Sequence, residues 1–221
     1  VWAEAGKTGT LPDPDILEAA RQACGWDLYQ VHADAVTKLH SDATIDLGGI
    51  AKGFGIDQAT QAMIDAGMAG GLVDAGGDIR CFGQRSSGGP WRIAVRNPFS
   101  QSGEMLGVIE LKEGAVCTSG DYERFSVIDG VRYSHIVDPR TCRPVQIAPS
   151  VTVIAPTATA ADAWATALSV LGPRGTQMID PDSGVEAMLV LGTPEDQELF
   201  KTPGFDAYLA APASAPAPAG R

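Results

Sequence analysis

Basic residues, long apolar runs and repeats are scarce in this chain of 221 residues. It carries 16 Lys and Arg against 27 Asp and Glu, and the formal charge of -11 argues against non-specific binding to nucleic acid or anionic lipid. No apolar run approaches the roughly 20 residues that a transmembrane helix needs. An anionic substrate would therefore need local help from a metal ion, a lysine or a helix N-terminus.

Cysteine and histidine are also sparse, with four and three residues. The cysteines are scattered without the pairing of a metal site, which favours free thiols over disulfides; they are Cys24, Cys81, Cys117 and Cys142. A single histidine in a motif-like segment, His135, cannot build a zinc centre. The order of polar residues does not resemble a Ser-His-Asp triad either.

Length and patterning indicate an α+β fold built on mostly antiparallel sheet, because strands come in runs with two or three helices inserted. The 44% of apolar residues suffices for a core. Helices are predicted at 13–24, at 50–68 with Ile56, Ala59, Met63 and Ala66 on one face, and from Thr159 onward. Strands are predicted at 44–47, at 72–82 with an interruption at Gly76-Gly77, and at 91–95, 106–111, 150–155, 185–191 and 205–209. A hairpin over 125–137 is predicted to turn at Asp129-Gly130.

The segment 159–166 places two oxygen-bearing side chains, Asp162 and Thr166, four residues apart on one helix face. Thr159 is the predicted N-cap, with Asp162 three residues later as in a capping box. Two interpretations stay open for this pair. The side chains cap the helix, or their oxygens bind a hard cation or a phosphate.

A predicted strand, a glycine pair and a helix start follow each other in segment 46–53. Bare backbone amides at such a junction can approach phosphate oxygens closely, Lys52 adds a cation, and Asp46 could hydrogen-bond a ligand's ring or ribose. The alternative is a tight turn with a surface lysine, since the spacing matches neither a Rossmann motif nor a P-loop.

Three further segments allow both a structural and a functional interpretation. Gly76-Gly77-Asp78 is a bulge or a site of close approach. Segment 118–122 is an ordinary polar turn or a phosphate cradle. His135, on the predicted apolar side of the hairpin, is a hydrogen-bonded core histidine, or a proton acceptor or phosphate contact.

Six segments, in this order along the chain, resemble the ApbE family of flavin transferases, which move FMN from FAD onto a protein. They are 46–53, 76–79, 118–122, 133–141, 150–153 and 161–166. The resemblance extends from residue 1 to about residue 191 and implies an α+β fold of the ApbE type, related to T-folds. We therefore expect residues 1–209 to form a flavin transferase domain that lacks the N-terminal part of the family domain, and the Ala/Pro-rich residues 210–221 to form a disordered tail.

The resemblance also implies roles for individual residues. Mg²⁺ would be held by the side chains of Asp162 and Thr166 and by the carbonyl of Gly49. His135 would lie at the reaction centre as the first choice of base, with Asp162 as the second. FAD would be contacted by Asp46, Lys52, the turn Thr118-Ser119-Gly120 and Ser150. Cys142 stands where the family usually has glycine.

The implied reaction is Mg²⁺-dependent transfer of FMN from FAD to a Thr or Ser hydroxyl of an acceptor flavoprotein, with release of AMP. Two alternatives stay open: an Mg²⁺-dependent FAD pyrophosphatase that yields FMN and AMP, and an FAD-binding protein without catalysis. The expected acceptor is a subunit of a membrane redox complex. The expected location is membrane-associated, on the periplasmic side of the inner membrane in the bacterial cell envelope, with the cytoplasm as the alternative.

Overall fold

The computed structural model describes residues 1–100, 102–120, 125–145 and 147–211. Within these ranges the helices are α1 (Trp2–Thr8), α2 (Pro14–Gln22), α3 (Ala51–Asp65) and α4 (Ala158–Leu171). The strands are β1 (Tyr29–Val31), β2 (Val36–Lys38), β3 (Gly70–Ala75), β4 (Asp78–Gly83), β5 (Trp91–Arg96), β6 (Met105–Leu111), β7 (Gly114–Gly120), β8 (Phe125–Ile128), β9 (Val131–Ser134), β10 (Val137–Asp138), β11 (Arg143–Pro144), β12 (Ser150–Ala155), β13 (Glu186–Thr193) and β14 (Asp196–Lys201). Short 3-10 turns cover Trp26–Leu28, Gly172–Met178, Pro181–Ser183 and Phe205–Tyr208.

A six-stranded antiparallel sheet in the order β14-β13-β12-β7-β4-β3 organises the chain. Its central strand β12 is buried at every residue, as its run of Val, Ile and Thr predicts. Register places Ser150 opposite Gly120 on one side and Val190 on the other. Together with the helices, this confirms the predicted α+β class with mostly antiparallel sheet.

The two faces of this sheet carry different layers. On one face α3 and α4 pack, and α4 presents the fully buried Ala158, Ala161 and Ala165 to the sheet. Alanine in these positions lets the helix axis come close to the strands, because no long side chain intervenes. The other face is covered by the β5–β6 hairpin and by Phe205.

Several sequence predictions of strands are wrong. Residues 44–47 form no strand, and Ile45 and Leu47 are 57% and 58% exposed on a segment without a ladder partner. Residues 205–209 form a 3-10 turn followed by one bridge from Leu209 to Ile109. The interruption predicted at Gly76-Gly77 within 72–82 is confirmed: the two parts are β3 and β4, which form a hairpin because Gly76 and Gly77 adopt positive φ angles of 67° and 93°.

The hairpin predicted over 125–137 is confirmed for its turn, where Asp129 and Gly130 have φ angles of 51° and 78°. Its second strand ends at Ser134, however, and β10 pairs with β11 instead. His135 therefore lies beyond the strand and not on its apolar side.

The helix predictions are confirmed in position and corrected in detail. α2 begins after Asp13, whose side chain accepts the N–H of Asp15 at 2.8 Å. α3 buries Gly53, Ile56 and Thr60 rather than the predicted face with Ala59 and Ala66. The apolar pattern missed this face because two of its three residues are a glycine and a threonine.

All four cysteines are free thiols. Cys81, Cys117 and Cys142 are buried, and Cys24 is exposed. None of the helices in the described ranges combines the length and apolar character that a bilayer crossing requires. The predicted tail lies outside the described residues from residue 212 onward.

Candidate functional site

The start of α4 is built differently from the sequence prediction. Thr157, in an extended conformation, is the N-cap, and its hydroxyl accepts the N–H of Ala160 at 3.2 Å. The predicted N-cap Thr159 lies within the first turn, where its N–H and hydroxyl both donate to Asp57 of α3. The capping-box interpretation of Asp162 is therefore wrong, and its carboxylate makes a different contact.

That carboxylate joins the starts of α3 and α4. Asp162 is 4% exposed, and its Oδ2 accepts the backbone N–H of Gly53 at 2.9 Å. A Cβ atom at Gly53 would lie 2.2 Å from the carbonyl oxygen of Ala158 and 2.8 Å from the Cβ of Asp162. Only glycine allows the two helix starts to come this close.

Gly49 occupies a similar position beside Thr166. A Cβ atom there would lie 3.0 Å from the Oγ1 of Thr166 and 2.9 Å from its Cγ2. Ser119 of β7 places its Oγ 3.5 Å from the same Oγ1. The backbone of Gly49 and the side chains of Asp162 and Thr166 are thus brought together from two distant parts of the chain.

Lys52 is held by an ion pair with the sheet. Its Nζ lies 2.5 Å from Oδ2 of Asp78, a residue that is 1% exposed. The other oxygen of Asp78 accepts the N–H of Thr118 at 2.9 Å. Burial alone would lower the pKa of Lys52, but the hydrogen bond and charge of Asp78, with the charge of Asp162, outweigh it and raise that pKa. Lys52 is therefore a firmly protonated cation.

At Asp162 the surroundings disfavour the charged form. Burial, the largest effect, raises the pKa of Asp162, and the neighbouring charge of Asp78 adds to it, against the opposing effects of the Gly53 N–H and Lys52. Two carboxylates thus share one lysine. A further cation at this point would relieve the repulsion between them.

These groups open onto a cleft of about 770 Å³. Its lining residues are Gly48, Ala51, Lys52, Ala75, Gly76, Thr118, Ser119, Gly120, His135, Asp162 and Thr166. Seven of the residues singled out in the sequence are among them. His135 is exposed and lines this cleft, so its interpretation as a core histidine is wrong, and the site interpretation stays a prediction.

Three other predicted site residues, Gly49, Asp46 and Ser150, are not part of this lining as the described residues define it, although Gly49 lies against the side chain of Thr166. The Oδ1 of Asp46 accepts the N–H of Gly48 at 2.6 Å, which closes the turn before α3. Ser150 is 1% exposed and lies opposite Gly120 in the sheet. The predicted polar turn over 118–122 is wrong for residues 118–120, which form the end of strand β7, and residues 121 and 122 lie outside the described residues.

Sequence reasoning assigned no role to the carboxylates of Asp78 and Asp57. Asp78 follows the Gly76-Gly77 pair, and the chain offered a signal there, because a charged residue at the start of an apolar strand needs a partner. Asp57 gave no such signal, since one acid on a helix usually faces solvent. Gly76, for which the sequence left a bulge and a site of close approach both open, lines the cleft.

Comparisons with known proteins show which family and fold this chain shares. The sequence profile of the ApbE family matches residues 1–189. The FAD:protein FMN transferase of Salmonella typhimurium is 32% identical over 204 residues, which is 90% of this chain and 58% of that protein. The chain therefore spans less than two thirds of the length of this relative.

Two solved structures share the fold. The ApbE protein of Thermotoga maritima has a TM-score of 0.80 and 36% identity, over 91% of this chain and 65% of that one. The flavin transferase ApbE of Vibrio cholerae has a TM-score of 0.80 and 32% identity, over 90% and 64%. The fold type that the six motifs predicted is confirmed.

Proposed function

Because the chain belongs to the ApbE family, we propose that it transfers FMN from FAD to a hydroxyl of an acceptor flavoprotein and releases AMP. The observation that carries this proposal is the convergence of Lys52, Asp162, Thr166 and His135 on one cleft. Matched relatives named FAD:protein FMN transferase support the reaction class.

The donor atoms of the cleft fit Mg²⁺. Asp162 offers a buried carboxylate, Thr166 a hydroxyl and Gly49 a backbone carbonyl, all hard oxygen donors of the kind that this ion prefers. The described residues contain no group of three or more His, Cys, Asp and Glu suited to a metal. When bound, Mg²⁺ would neutralise phosphate charge and stabilise the charge that develops on the leaving AMP.

The remaining groups bind and orient the dinucleotide. Lys52, fixed by Asp78, and the N-terminus of α3 supply positive potential for its phosphates. The hydroxyls of Thr118 and Ser119 and the backbone of Gly120 line the cleft at the end of β7, and in this proposal they face the phosphate. In this proposal Asp46 and Ser150 act from the edge of the site, through the turn at Gly48 and the strand end at Gly120.

The reaction forms one bond and breaks one bond at phosphorus. The acceptor's Thr or Ser oxygen attacks the phosphorus on the riboflavin side of FAD, and the bond from that phosphorus to the bridging oxygen breaks, so that AMP leaves with the electron pair. His135 takes the proton of the attacking hydroxyl, and its place on the open side of the cleft suits a group that meets an incoming protein. Asp162 is the second choice of base.

The test is an incubation of the protein with FAD, Mg²⁺ and a candidate acceptor flavoprotein, followed by the mass of the acceptor and an assay for AMP. We expect FMN on the acceptor together with an equal amount of AMP. Free FMN with an unmodified acceptor would show the pyrophosphatase instead, and intact FAD without AMP would show a binding protein. Following the family resemblance, we also propose that the acceptor is a subunit of a membrane redox complex and that the protein acts on the periplasmic side of the inner membrane.

A further inference from the structure

One carboxylate outside the cleft, that of Asp57, receives four hydrogen bonds. Its Oδ1 accepts the N–H of Ala158 at 2.9 Å and an N–H of Arg80 at 2.7 Å. Its Oδ2 accepts the N–H of Thr159 at 2.9 Å and the Thr159 hydroxyl at 2.5 Å. The side chain is 12% exposed. Asp57 is therefore as fully engaged as a carboxylate can be.

These contacts connect the three elements that supply the cleft. Asp57 belongs to α3, five residues after Lys52 in the sequence. Ala158 and Thr159 open α4, which carries Asp162 and Thr166. Arg80 lies on β4, two residues beyond Asp78.

The first turn of α4 does not need Asp57 as a conventional cap, because Thr157 already caps it from within the chain. Asp57 instead takes the two N–H groups that precede the one bound by Thr157, and it does so from the neighbouring helix. Arg80 balances its charge, so the carboxylate is ionised without a ligand in the cleft. The effect is to lock α4 in one position along α3.

We propose that Asp57 is a positioning residue: by holding the first turn of α4 against α3, it sets the spacing between Gly49 and the side chains of Asp162 and Thr166. This inference rests on the proposed function, because that spacing matters for catalysis only if those three groups bind Mg²⁺. Asp57 touches neither the substrate nor the ion. Its contribution is to the affinity of the site and not to the chemical step.

The test compares Asp57→Asn with Thr157→Ala. Asparagine keeps one acceptor oxygen but cannot accept from Arg80 and from both N–H groups of α4 at once. Thr157→Ala weakens the same helix start without changing the contacts between α3 and α4. Mg²⁺ is titrated calorimetrically into each FAD-saturated protein, and flavin transfer is measured over a range of Mg²⁺ concentrations.

We expect Asp57→Asn to weaken Mg²⁺ binding by about 10- to 100-fold, the usual effect of removing a group that orients metal ligands. The half-saturating Mg²⁺ concentration for transfer should rise in parallel, while kcat at saturating Mg²⁺ changes much less. Thr157→Ala should leave Mg²⁺ affinity near that of the wild type. A loss of Mg²⁺ affinity that is equal in the two variants, or absent in Asp57→Asn, overturns the inference.

Failure of the proposed function gives a different pattern. In that case the wild type itself neither binds Mg²⁺ with FAD nor modifies an acceptor, and the inference falls with it. Should Asp57→Asn not fold, Thr159→Val decides, because it removes only the hydroxyl contact and preserves shape. A several-fold weaker Mg²⁺ affinity in Thr159→Val supports the inference, and an unchanged affinity overturns it.

Discussion

The carboxylate of Asp162 accepts the backbone N–H of Gly53 at 2.9 Å, although the two residues are 109 positions apart in the chain. The contact depends on the absence of a side chain at Gly53, because an added Cβ would lie 2.2 Å from the carbonyl oxygen of Ala158. It ties the segment with Gly49 and Lys52 to the segment with Asp162 and Thr166.

Gly53→Ala tests how tight this contact is. Alanine favours a helix by up to about 1 kcal/mol over glycine, but its Cβ would lie 2.2 Å from the Ala158 carbonyl oxygen. Overpacking of this kind costs about 1–3 kcal/mol, so we expect a net loss in the free energy of unfolding and a loss of FAD binding. Urea unfolding and FAD titration measure the two effects.

The matched control is Gly55→Ala in the same helix, where an added Cβ meets nothing within 4 Å. There the helix propensity acts alone, and we expect a small gain in stability with normal FAD binding. A Gly53→Ala protein as stable as Gly55→Ala would contradict the close approach of α3 and α4.

Asp162→Asn tests two properties of the Asp162 carboxylate: how much its ionisation lowers stability, and whether it binds Mg²⁺. Because the pKa of Asp162 lies above its ordinary value, the folded state holds the proton more tightly than the unfolded chain does, and ionisation at neutral pH costs stability. Without divalent cations we therefore expect Asp162→Asn to have an equal or higher Tm. With FAD and Mg²⁺ the wild type should gain Tm and the variant should not; an Mg²⁺ response that survives the substitution would remove Asp162 from the ligands.

Lys52→Met probes the ion pair with Asp78. The substitution leaves a buried carboxylate without its charge partner, and we expect a loss of about 1–3 kcal/mol in the free energy of unfolding. Adding Asp78→Asn should restore part of this stability, because the uncompensated charge is gone. FAD affinity should remain low in the double variant, since no cation faces the phosphates; recovered affinity would contradict the role of Lys52.

His135→Ala addresses the chemical step. We expect flavin transfer to fall by about 10²–10⁴-fold, the usual effect of losing a general base, while FAD affinity stays close to that of the wild type. Single-turnover kinetics with saturating acceptor measure the rate, and FAD titration measures the affinity. His32→Ala, a change at an exposed histidine outside the cleft lining, is the control; equal rates in the two variants would refute the proposed base.

The ionised carboxylate of Asp57 should make the free energy of unfolding depend on pH. Burial alone would raise the pKa of Asp57, but its bonds from Thr159 and Ala158 and the charge of Arg80 outweigh this and lower that pKa. The stabilisation is therefore present above the ordinary value of 3.8 and is lost as the pH falls through the lowered pKa.

We accordingly expect Asp57→Asn to be less stable than the wild type at about pH 7, with the difference shrinking below about pH 4. Urea unfolding at a series of pH values measures it. Asp65→Asn, at an exposed carboxylate in the last turn of the same helix, should show only a small difference throughout. A difference for Asp57→Asn that is independent of pH would contradict an ionic role.

Residues whose surroundings are local were predictable from the sequence. The turn at Asp129-Gly130 and the strand at 150–155 follow from turn chemistry and from a β-branched run. The motif residues Lys52 and Asp162 were also found, because their segments carry glycines and polar groups at helix starts. These features need only a few neighbours in sequence.

Features that depend on distant partners were not predictable. The capping of α4 involves Asp57, which lies more than 100 residues earlier, so the local pattern pointed to Thr159 instead of Thr157. Residues 44–47 alternate as a strand does, yet among the described residues no strand pairs with them. The edge strand β14 was missed because its residues are mostly polar and partly exposed.

The sequence distance spanned by the Gly53–Asp162 contact also bears on how this protein folds. No local fragment contains both halves of the cleft, and contacts of such long sequence separation form slowly because a long loop must close first. We therefore expect binding competence to be acquired late in the folding reaction. A ligand that bridges the two halves would bind the native state alone, and would protect the chain from unfolding in proportion to the logarithm of its concentration once the site is saturated.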